Sequence, residues 1–162
     1  MYSLNDEIVC HKIMDEIGGY KMAIDYLFKV RFGDTDAAGI VFFPNFYKWM
    51  DEASHEFFTE LGHSTSKLLA IEKVSTPLLE SKCEFKTPLF FEDEVILRTE
   101  VLEIHNKVFK LAHTFYRGET VVAIGYTLRA WTLFEDRPKA IPIPDTIREK
   151  LTLHQKNEQL KL

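Results

Sequence analysis

Two aspartates, Asp34 and Asp36, stand two residues apart at the end of an apolar segment, and Gly39 follows them. Residues 34–39 have the composition of a loop, but the next four residues, 40–43, are all apolar. Apolar residues in such a position favour a binding pocket over a solvated loop. A carboxylate beside an apolar pocket can activate water or attack a carbonyl carbon. The pattern therefore predicts a pocket with one catalytic acid.

The segment after this loop predicts a helix that begins at Pro44, because proline favours the first helical turn. Apolar residues then recur at intervals of three and four and indicate a long buried helix that ends near Gly62: Phe46, Trp49, Met50, Ala53, Phe57 and Leu61. The first N–H groups of a helix lack intrahelical partners and attract negative charge. The amide of Phe43 is the best placed of them to stabilise an oxyanion.

Alternating or β-rich segments surround this helix and predict the strands that position it. Asn106 and Gly118 lie at the hairpin bends between the last three. One long helix with a set of antiparallel strands predicts an α+β fold in which a sheet wraps around the helix. The predicted strands are residues 24–32, 74–85, 94–105, 107–117 and 120–134.

Composition limits the classes of function. The chain has 162 residues, of which 46% are apolar, and it contains no run of the roughly 20 apolar residues that a membrane span requires. No secretion signal is evident, so a cytoplasmic protein is expected. The net charge of -5 argues against a nucleic-acid partner. The two cysteines, Cys10 and Cys83, are far apart and do not predict a zinc site or a disulfide.

Other chemistry at the two aspartates is less favoured by the sequence. A metal ion would need more oxygen ligands than Asp34 and Asp36 supply, and the next carboxylate, Asp51, lies within the predicted helix. His55 lacks the second histidine of a zinc-protease motif and is interpreted as a residue of the helix surface or core edge. Asp34 is expected to hydrogen-bond the loop or to pair with Arg31.

The segment from Arg31 to Tyr47 resembles the signature of hot-dog-fold acyl-CoA thioesterases, in particular the 4-hydroxybenzoyl-CoA thioesterase branch. The resemblance continues through Thr76 and Pro77 to the Ile-Pro-Ile-Pro sequence at 141–144, and covers about residues 24–147. It implies a hot-dog domain over 24–147, an N-terminal extension over 1–23 and a helical tail over 148–162. The residues in register with the signature are Arg31, Asp34, Asp36, Gly39, Ile40, Val41, Pro44, Asn45 and Phe46.

The resemblance implies that the chain hydrolyses the thioester of a small aromatic or short acyl-CoA without a metal or redox cofactor. In the resembling branch the second aspartate of Asp-x-Asp is the catalytic carboxylate, and it corresponds to Asp36. Whether it acts as a general base or as a nucleophile stays open. Phe43 stands where that branch has tyrosine, so a role for a phenol is lost while a role for the backbone amide is retained.

Substrate contacts are implied for six positions, which are Gly39, Ile40, Val41, Pro44, Thr76 and Lys107. Thr76 corresponds to a position near the acyl group, and Lys107 to a basic segment that meets the phosphates of coenzyme A. Structural alternatives stay open: Asp36 could be a turn residue, Thr76 an extended residue before proline, and Lys107 a solvated hairpin lysine.

Three further expectations follow from the resemblance. The chain should form a homo-oligomer, either a dimer or a homotetramer, because its sheet has an edge and a face that need cover. The alternative substrate is an aliphatic acyl-CoA or an acyl group on a carrier protein. The alternative class is a non-catalytic module that binds or senses acyl-CoA, which the presence of Asp36 disfavours.

Overall fold

The computed structural model describes residues 23–156. The N-terminal extension before Ala23, which includes Cys10, lies outside the described residues. The strands, in chain order, are β1 (Ile24–Lys29), β2 (Val74–Ser75), β3 (Leu78–Phe85), β4 (Glu94–Ile104), β5 (Val108–Arg117), β6 (Thr120–Ala130), β7 (Thr132–Leu133) and β8 (Lys139–Ala140). The helices are α1 (Pro44–Glu60), a short α2 (Thr65–Lys67) that continues into a π-helical turn (Leu68–Glu72), and α3 (Asp145–Leu153).

Within residues 23–156, five strands form one antiparallel sheet in the order β1-β4-β5-β6-β3. Three short strands, β2, β7 and β8, form a second sheet beside it. Helix α1 packs on one face of the large sheet, which confirms the predicted α+β arrangement. Both hairpin bends lie where the sequence placed them, and Gly118 has a positive φ of 57° that favours glycine.

Two predicted strands are each divided in the structure. The segment 74–85 breaks at Thr76 and Pro77, since proline cannot donate a ladder hydrogen bond. The segment 120–134 breaks at Trp131, whose amide donates to the carbonyl of Lys107 at 2.8 Å. In both cases the chain passes from one sheet to the other. The first strand is also shorter than predicted, because a 3-10 turn begins at Phe32, which is 77% exposed.

Helix α1 confirms the predicted helix closely. Pro44 is its first residue, and the six apolar residues at helical spacing are all buried. Close contact with the sheet requires Gly125 on β6, because a Cβ atom there would lie 2.6 Å from the Sδ atom of Met50.

Two hydrophobic clusters lie along α1. The first surrounds Phe46, Trp49 and Met50, and the second surrounds Phe57 and Phe58. A polar layer of three buried side chains, Thr99, His113 and Thr127, crosses the sheet between them. The imidazole of His113 forms hydrogen bonds of 3.1 Å and 3.0 Å with the hydroxyl groups of Thr99 and Thr127.

Helix α3 closes the second cluster. Ile147 and Leu151 are buried there, and the Nζ atom of Lys150 donates to the carbonyl of Leu61 at 2.8 Å, at the end of α1. The sequence predicted a helical tail over 148–162, but this helix begins at Asp145 and ends at Leu153, and residues 157–162 are not described. Among residues 23–156, no helix is long and apolar enough to cross a membrane.

Candidate active site

The two aspartates lie in a small loop (residues 34–43), here called the acidic loop, between β1 and α1. Thr35 and Val41 pair across it as an isolated antiparallel bridge. The amide of Asp36 donates to the carbonyl of Ile40 at 2.9 Å, and the amide of Phe42 donates to the carbonyl of Asp34 at 2.8 Å. These backbone bonds fold the loop into a narrow hairpin with Asp36 near its tip.

Asp36 is exposed, and its Oδ1 atom accepts a hydrogen bond of 2.8 Å from the amide of Ala38. Gly39 completes the turn with a φ of 77°, and its amide donates to the carbonyl of Asp36 at 2.9 Å. The turn interaction that the sequence offered as an alternative is therefore present. A single accepted hydrogen bond leaves further acceptor capacity on the carboxylate, so a turn role and a chemical role are compatible in this geometry.

Asp34 has a different environment. Its Oδ2 atom accepts a hydrogen bond of 2.7 Å from the backbone amide of Arg31. The expectation that Asp34 would hydrogen-bond its own loop is confirmed, and its partner on Arg31 is the amide.

The start of α1 presents the amide of Phe43 beside this loop. Among the described residues, that amide donates to no backbone oxygen, whereas the amides of Asn45 and Phe46 donate to the carbonyls of Phe42 and Phe43. Phe43 has helical backbone angles, with φ at -52° and ψ at -33°. An N–H group in this position faces outward along the helix axis, where the helix dipole favours a negative charge.

A cavity of about 420 Å³ opens next to Phe43. Two predicted substrate contacts, Ile40 and Val41, line it together with the predicted oxyanion donor, Phe43. Asp36 is not part of the lining, but its amide is bonded to the carbonyl of Ile40, so it lies directly behind one wall. The complete lining is Ile40, Val41, Phe43, Phe46, Phe85, Lys86, Thr87, Pro88 and Leu89.

Four of the six predicted substrate contacts lie outside this lining. Gly39 and Pro44 flank it in the chain. Thr76 is 4% exposed, and its carbonyl accepts from the Nη1 atom of Arg129 at 3.1 Å. Lys107 is exposed in its hairpin, which agrees with the alternative of a solvated lysine. Within one chain, the structure thus brings together the loop residues and the helix start, and keeps Thr76 and Lys107 apart from the cavity lining.

The sequence did not predict the wall formed by residues 85–89. The amides of Lys86 and Thr87 both donate to the carbonyl of Val122, at 2.8 Å and 3.2 Å, which ends the pairing of β3. The amide of Val41 donates to the carbonyl of Leu89 at 2.9 Å and joins this wall to the acidic loop. A proline shortly after a strand signals a change in chain direction, but it does not reveal which distant loop the turn will contact.

A partly buried ion pair between α1 and β6 was also not predicted. The Nη2 atom of Arg129, which is 3% exposed, donates to the Oδ1 atom of Asp51 at 2.6 Å. Partial burial raises the pKa of Asp51, but the hydrogen bond and charge of Arg129 outweigh it, and the pKa is below its usual value. Asp51 is therefore anionic near neutral pH and neutralises an arginine that would otherwise be buried unpaired.

The described residues offer little for other chemistry. Residues 23–156 contain no group of three metal-ligating side chains. His55 is exposed and forms a 2.7 Å hydrogen bond with the hydroxyl of Thr65, which agrees with its interpretation as a surface residue. Burial raises the pKa of the half-buried Cys83 thiol to about 11, so this thiol is a weak nucleophile.

Comparisons with known proteins show the family of this chain. The model of the thioesterase-like superfamily matches residues 30–151. A solved gentisyl-coenzyme A thioesterase is 49% identical, with a TM-score of 0.72, and the match covers 77% of this chain and 99% of that one. The 1,4-dihydroxy-2-naphthoyl-CoA hydrolase of Thermosynechococcus vestitus is 30% identical over 124 residues, 76% of this chain and 84% of that enzyme.

A third relative is the 4-hydroxybenzoyl-CoA thioesterase of Pseudomonas sp. (strain CBS-3). It is 32% identical over 91 residues, which are 55% of this chain and 64% of that enzyme, slightly under two thirds of its length. The chain belongs to the thioesterase-like superfamily and has the hot-dog fold of its solved relatives. The predictions of a hot-dog fold and of a thioester hydrolase are confirmed.

Proposed function

We propose that this protein hydrolyses the coenzyme A thioester of a hydroxylated aromatic acid, with Asp36 as the catalytic carboxylate and the Phe43 amide as the oxyanion donor. The observation that carries the proposal is the acidic loop itself. It holds the exposed carboxylate of Asp36, whose backbone amide bonds to the lining residue Ile40. It also leads into Phe43, which lines a largely apolar cavity and whose amide has no backbone partner among the described residues.

The chemistry follows from these groups. Asp36 either activates a water molecule or adds to the thioester carbonyl, and the carbonyl oxygen becomes an anion in the transition state. In the second route the acyl group is held on Asp36 as a mixed anhydride, which water then hydrolyses to the free acid. A donor already aimed at that anion lowers the barrier, because no solvent must reorganise during the reaction. Coenzyme A then leaves as its thiolate and takes up a proton. Every group that this scheme needs is supplied by the chain and by water.

The proposed acyl group rests on the relatives. They act on gentisyl-, 4-hydroxybenzoyl- and 1,4-dihydroxy-2-naphthoyl-CoA. Each of these acyl groups is an aromatic ring with hydroxyl substituents, and gentisyl-CoA is the first candidate because its thioesterase shares 49% identity with this chain. The aromatic and aliphatic lining of the cavity is compatible with the apolar part of such a thioester. Gly39 and Pro44 would frame the entrance, and Thr76 and Lys107 stay as proposed substrate contacts.

The working form is proposed to be a cytoplasmic homo-oligomer, a dimer or a homotetramer, built on the domain over 24–147 with its flanking segments. The edge strand β3 supports this assembly, because Leu78, Leu79 and Phe85 on it are each about half exposed, at 50%, 56% and 49%. An unpaired strand edge with apolar side chains is a site for association with a second copy. Light scattering of the purified chain measures the assembly directly.

The experiment that tests the function is release of free thiol from a panel of thioesters. The panel contains the three hydroxylated aromatic acyl-CoAs, benzoyl-CoA, a short and a long aliphatic acyl-CoA, and one acyl-carrier-protein thioester. Asp36→Asn is compared with Asp136→Asn, which makes the same replacement at an exposed aspartate in the loop between β7 and β8. Loss of the catalytic carboxylate lowers kcat by about a hundredfold or more.

Turnover of a hydroxylated aromatic thioester that falls in Asp36→Asn and persists in Asp136→Asn supports the proposal. Preference for an aliphatic or carrier-protein thioester would refute the proposed substrate and retain the reaction. Saturable binding of acyl-CoA without any thiol release would refute the reaction and favour a non-catalytic acyl-CoA module.

A further inference from the structure

The side chain of Asn45 connects helix α1 to the acidic loop. Asn45 lies in the first turn of α1, and its Nδ2 atom donates a hydrogen bond of 2.8 Å to the backbone carbonyl of Asp34. The bond spans eleven positions of the chain and is partly buried. It is not a helix cap, since the Asn45 side chain donates to a carbonyl outside the helix instead of accepting from the helix amides.

The acceptor of this bond is the point where three segments meet. The carbonyl of Asp34 also accepts the amide of Phe42 at 2.8 Å, and its carboxylate accepts the amide of Arg31 at 2.7 Å. Asp34 is thereby bonded to the segment that follows β1, to the returning half of the acidic loop, and to α1. Among these bonds, only the one from Asn45 begins within α1.

Both proposed catalytic groups lie within the segment 34–45, whose two ends this bond joins. Asp36 comes two residues after Asp34, and Phe43 comes two residues before Asn45. Without the bond, α1 would still be joined to the end of the acidic loop through the backbone and through the amides of Asn45 and Phe46, which donate to the carbonyls of Phe42 and Phe43. The Asn45 side chain adds a direct bond from α1 to Asp34 at the start of the loop, and so it restrains the carboxylate relative to the amide.

We infer that Asn45 is a positioning residue for thioester hydrolysis, acting through the carbonyl of Asp34. This inference rests on the proposed function. The Asn45 side chain is distinct from the groups that react: it holds the acid and the oxyanion donor in one geometry. Since a displacement of about 1 Å from productive geometry can cost on the order of a hundredfold in rate, loss of the bond reduces kcat more than it changes KM.

Two variants test the inference. Asn45→Ala removes the donor. Asn45→Asp has the same shape and also removes the donor, and a carboxylate in the first turn favours the helix through its dipole, so the fold is retained. We expect kcat to fall by about tenfold or more in both variants while KM changes by less than about threefold. Thr59→Ala is the matched control, because it removes a side-chain hydrogen bond of 3.1 Å from the exposed far end of the same helix.

A readout independent of turnover accompanies the kinetics. The amide of Phe42 shares the acceptor carbonyl with Asn45, so its hydrogen exchange should accelerate in both Asn45 variants and be unchanged in Thr59→Ala. If both Asn45 variants retain kcat within about twofold of the native value, the inference is wrong. An equal fall in kcat in Thr59→Ala would also overturn it, because the effect would then reflect helix stability.

Failure of the proposed function has a separate signature. If the native chain releases no thiol from any thioester, the proposed function fails, and the exchange of the Phe42 amide still decides whether Asn45 fixes the loop. If thioesters are hydrolysed and the exchange rate is unchanged in the Asn45 variants, the inference about Asn45 fails alone.

Discussion

The two ends of helix α1 have opposite construction. At its N-terminal end the helix meets the acidic loop and the cavity, and the rings of Phe42 and Phe43 are 49% and 57% exposed. At its C-terminal end Phe57 and Phe58 are completely buried, and α3 covers them with Ile147 and Leu151. We refer to these as the cavity end and the closed end.

The difference shows how one helix serves two purposes. The closed end buries large rings on every side, so it contributes stability. The cavity end leaves apolar surface and a helix-start amide uncovered, an arrangement that costs stability and is typical of a binding site. The polar layer of Thr99, His113 and Thr127 lies between them, because Leu97 and Val101, two positions to either side of Thr99 on β4, belong to the two different clusters.

The largest effect is expected at the closed end. Phe58→Ala deletes a fully buried ring that packs against the rings of Phe57, Phe109 and Trp131. The free energy of unfolding should fall by about 3–5 kcal/mol, measured by denaturant unfolding. At a temperature where the variant is folded, kcat per folded molecule should stay within about threefold of the native value. A strong loss of kcat with little loss of stability would mean that the two ends are not separable.

The next effect is expected at the cavity end, where activity should change and stability should not. Phe43→Pro removes the N–H group that is the proposed oxyanion donor. The backbone can be retained, because proline adopts a φ close to the -52° of Phe43. We expect kcat to fall by about 10²–10³ with a small change in thermal stability. Phe43→Ala is the matched control, because it also removes the exposed ring and keeps the amide. If Phe43→Pro and Phe43→Ala have the same kcat, the amide is not the donor.

The smallest effect is expected in the polar layer between the two ends. Burial, with a smaller contribution from the charge of Arg129, lowers the pKa of His113 to about 3, well below the value of 6.5 expected in the unfolded chain. The unfolded state therefore binds a proton more readily between these pH values, and stability falls as the pH decreases below about 6.5. The expected slope approaches about 1.4 kcal/mol per pH unit.

Denaturant unfolding between pH 7 and pH 5 measures this slope, since most carboxyl groups stay ionised in that window. His113→Gln removes the titrating group and retains hydrogen-bonding capacity toward Thr99 and Thr127, so its stability should depend less on pH. An unchanged slope in this variant would assign the acid sensitivity to other groups.

Much of the fold could be predicted from local patterns. The helix from Pro44 follows from a proline at its start and a repeating apolar face, and both hairpin bends follow from Asn106 and Gly118. The acidic loop could be recognised as a site, because carboxylates, a glycine and apolar residues are adjacent in the chain. These features depend on contacts between residues close in sequence, and such contacts are visible in the sequence itself.

The sequence by itself predicted the candidate acid and determined the helix and the bends, whereas only the tertiary structure decided how they meet. The breaks at Pro77 and Trp131, the cavity wall at Lys86 to Leu89, and the burial of His113 all depend on which strands pair. The bond from Asn45 to the carbonyl of Asp34 likewise requires the loop to be folded back on the helix. Residue spacing does not predict such contacts, since they result from the packing of segments that are distant in the sequence.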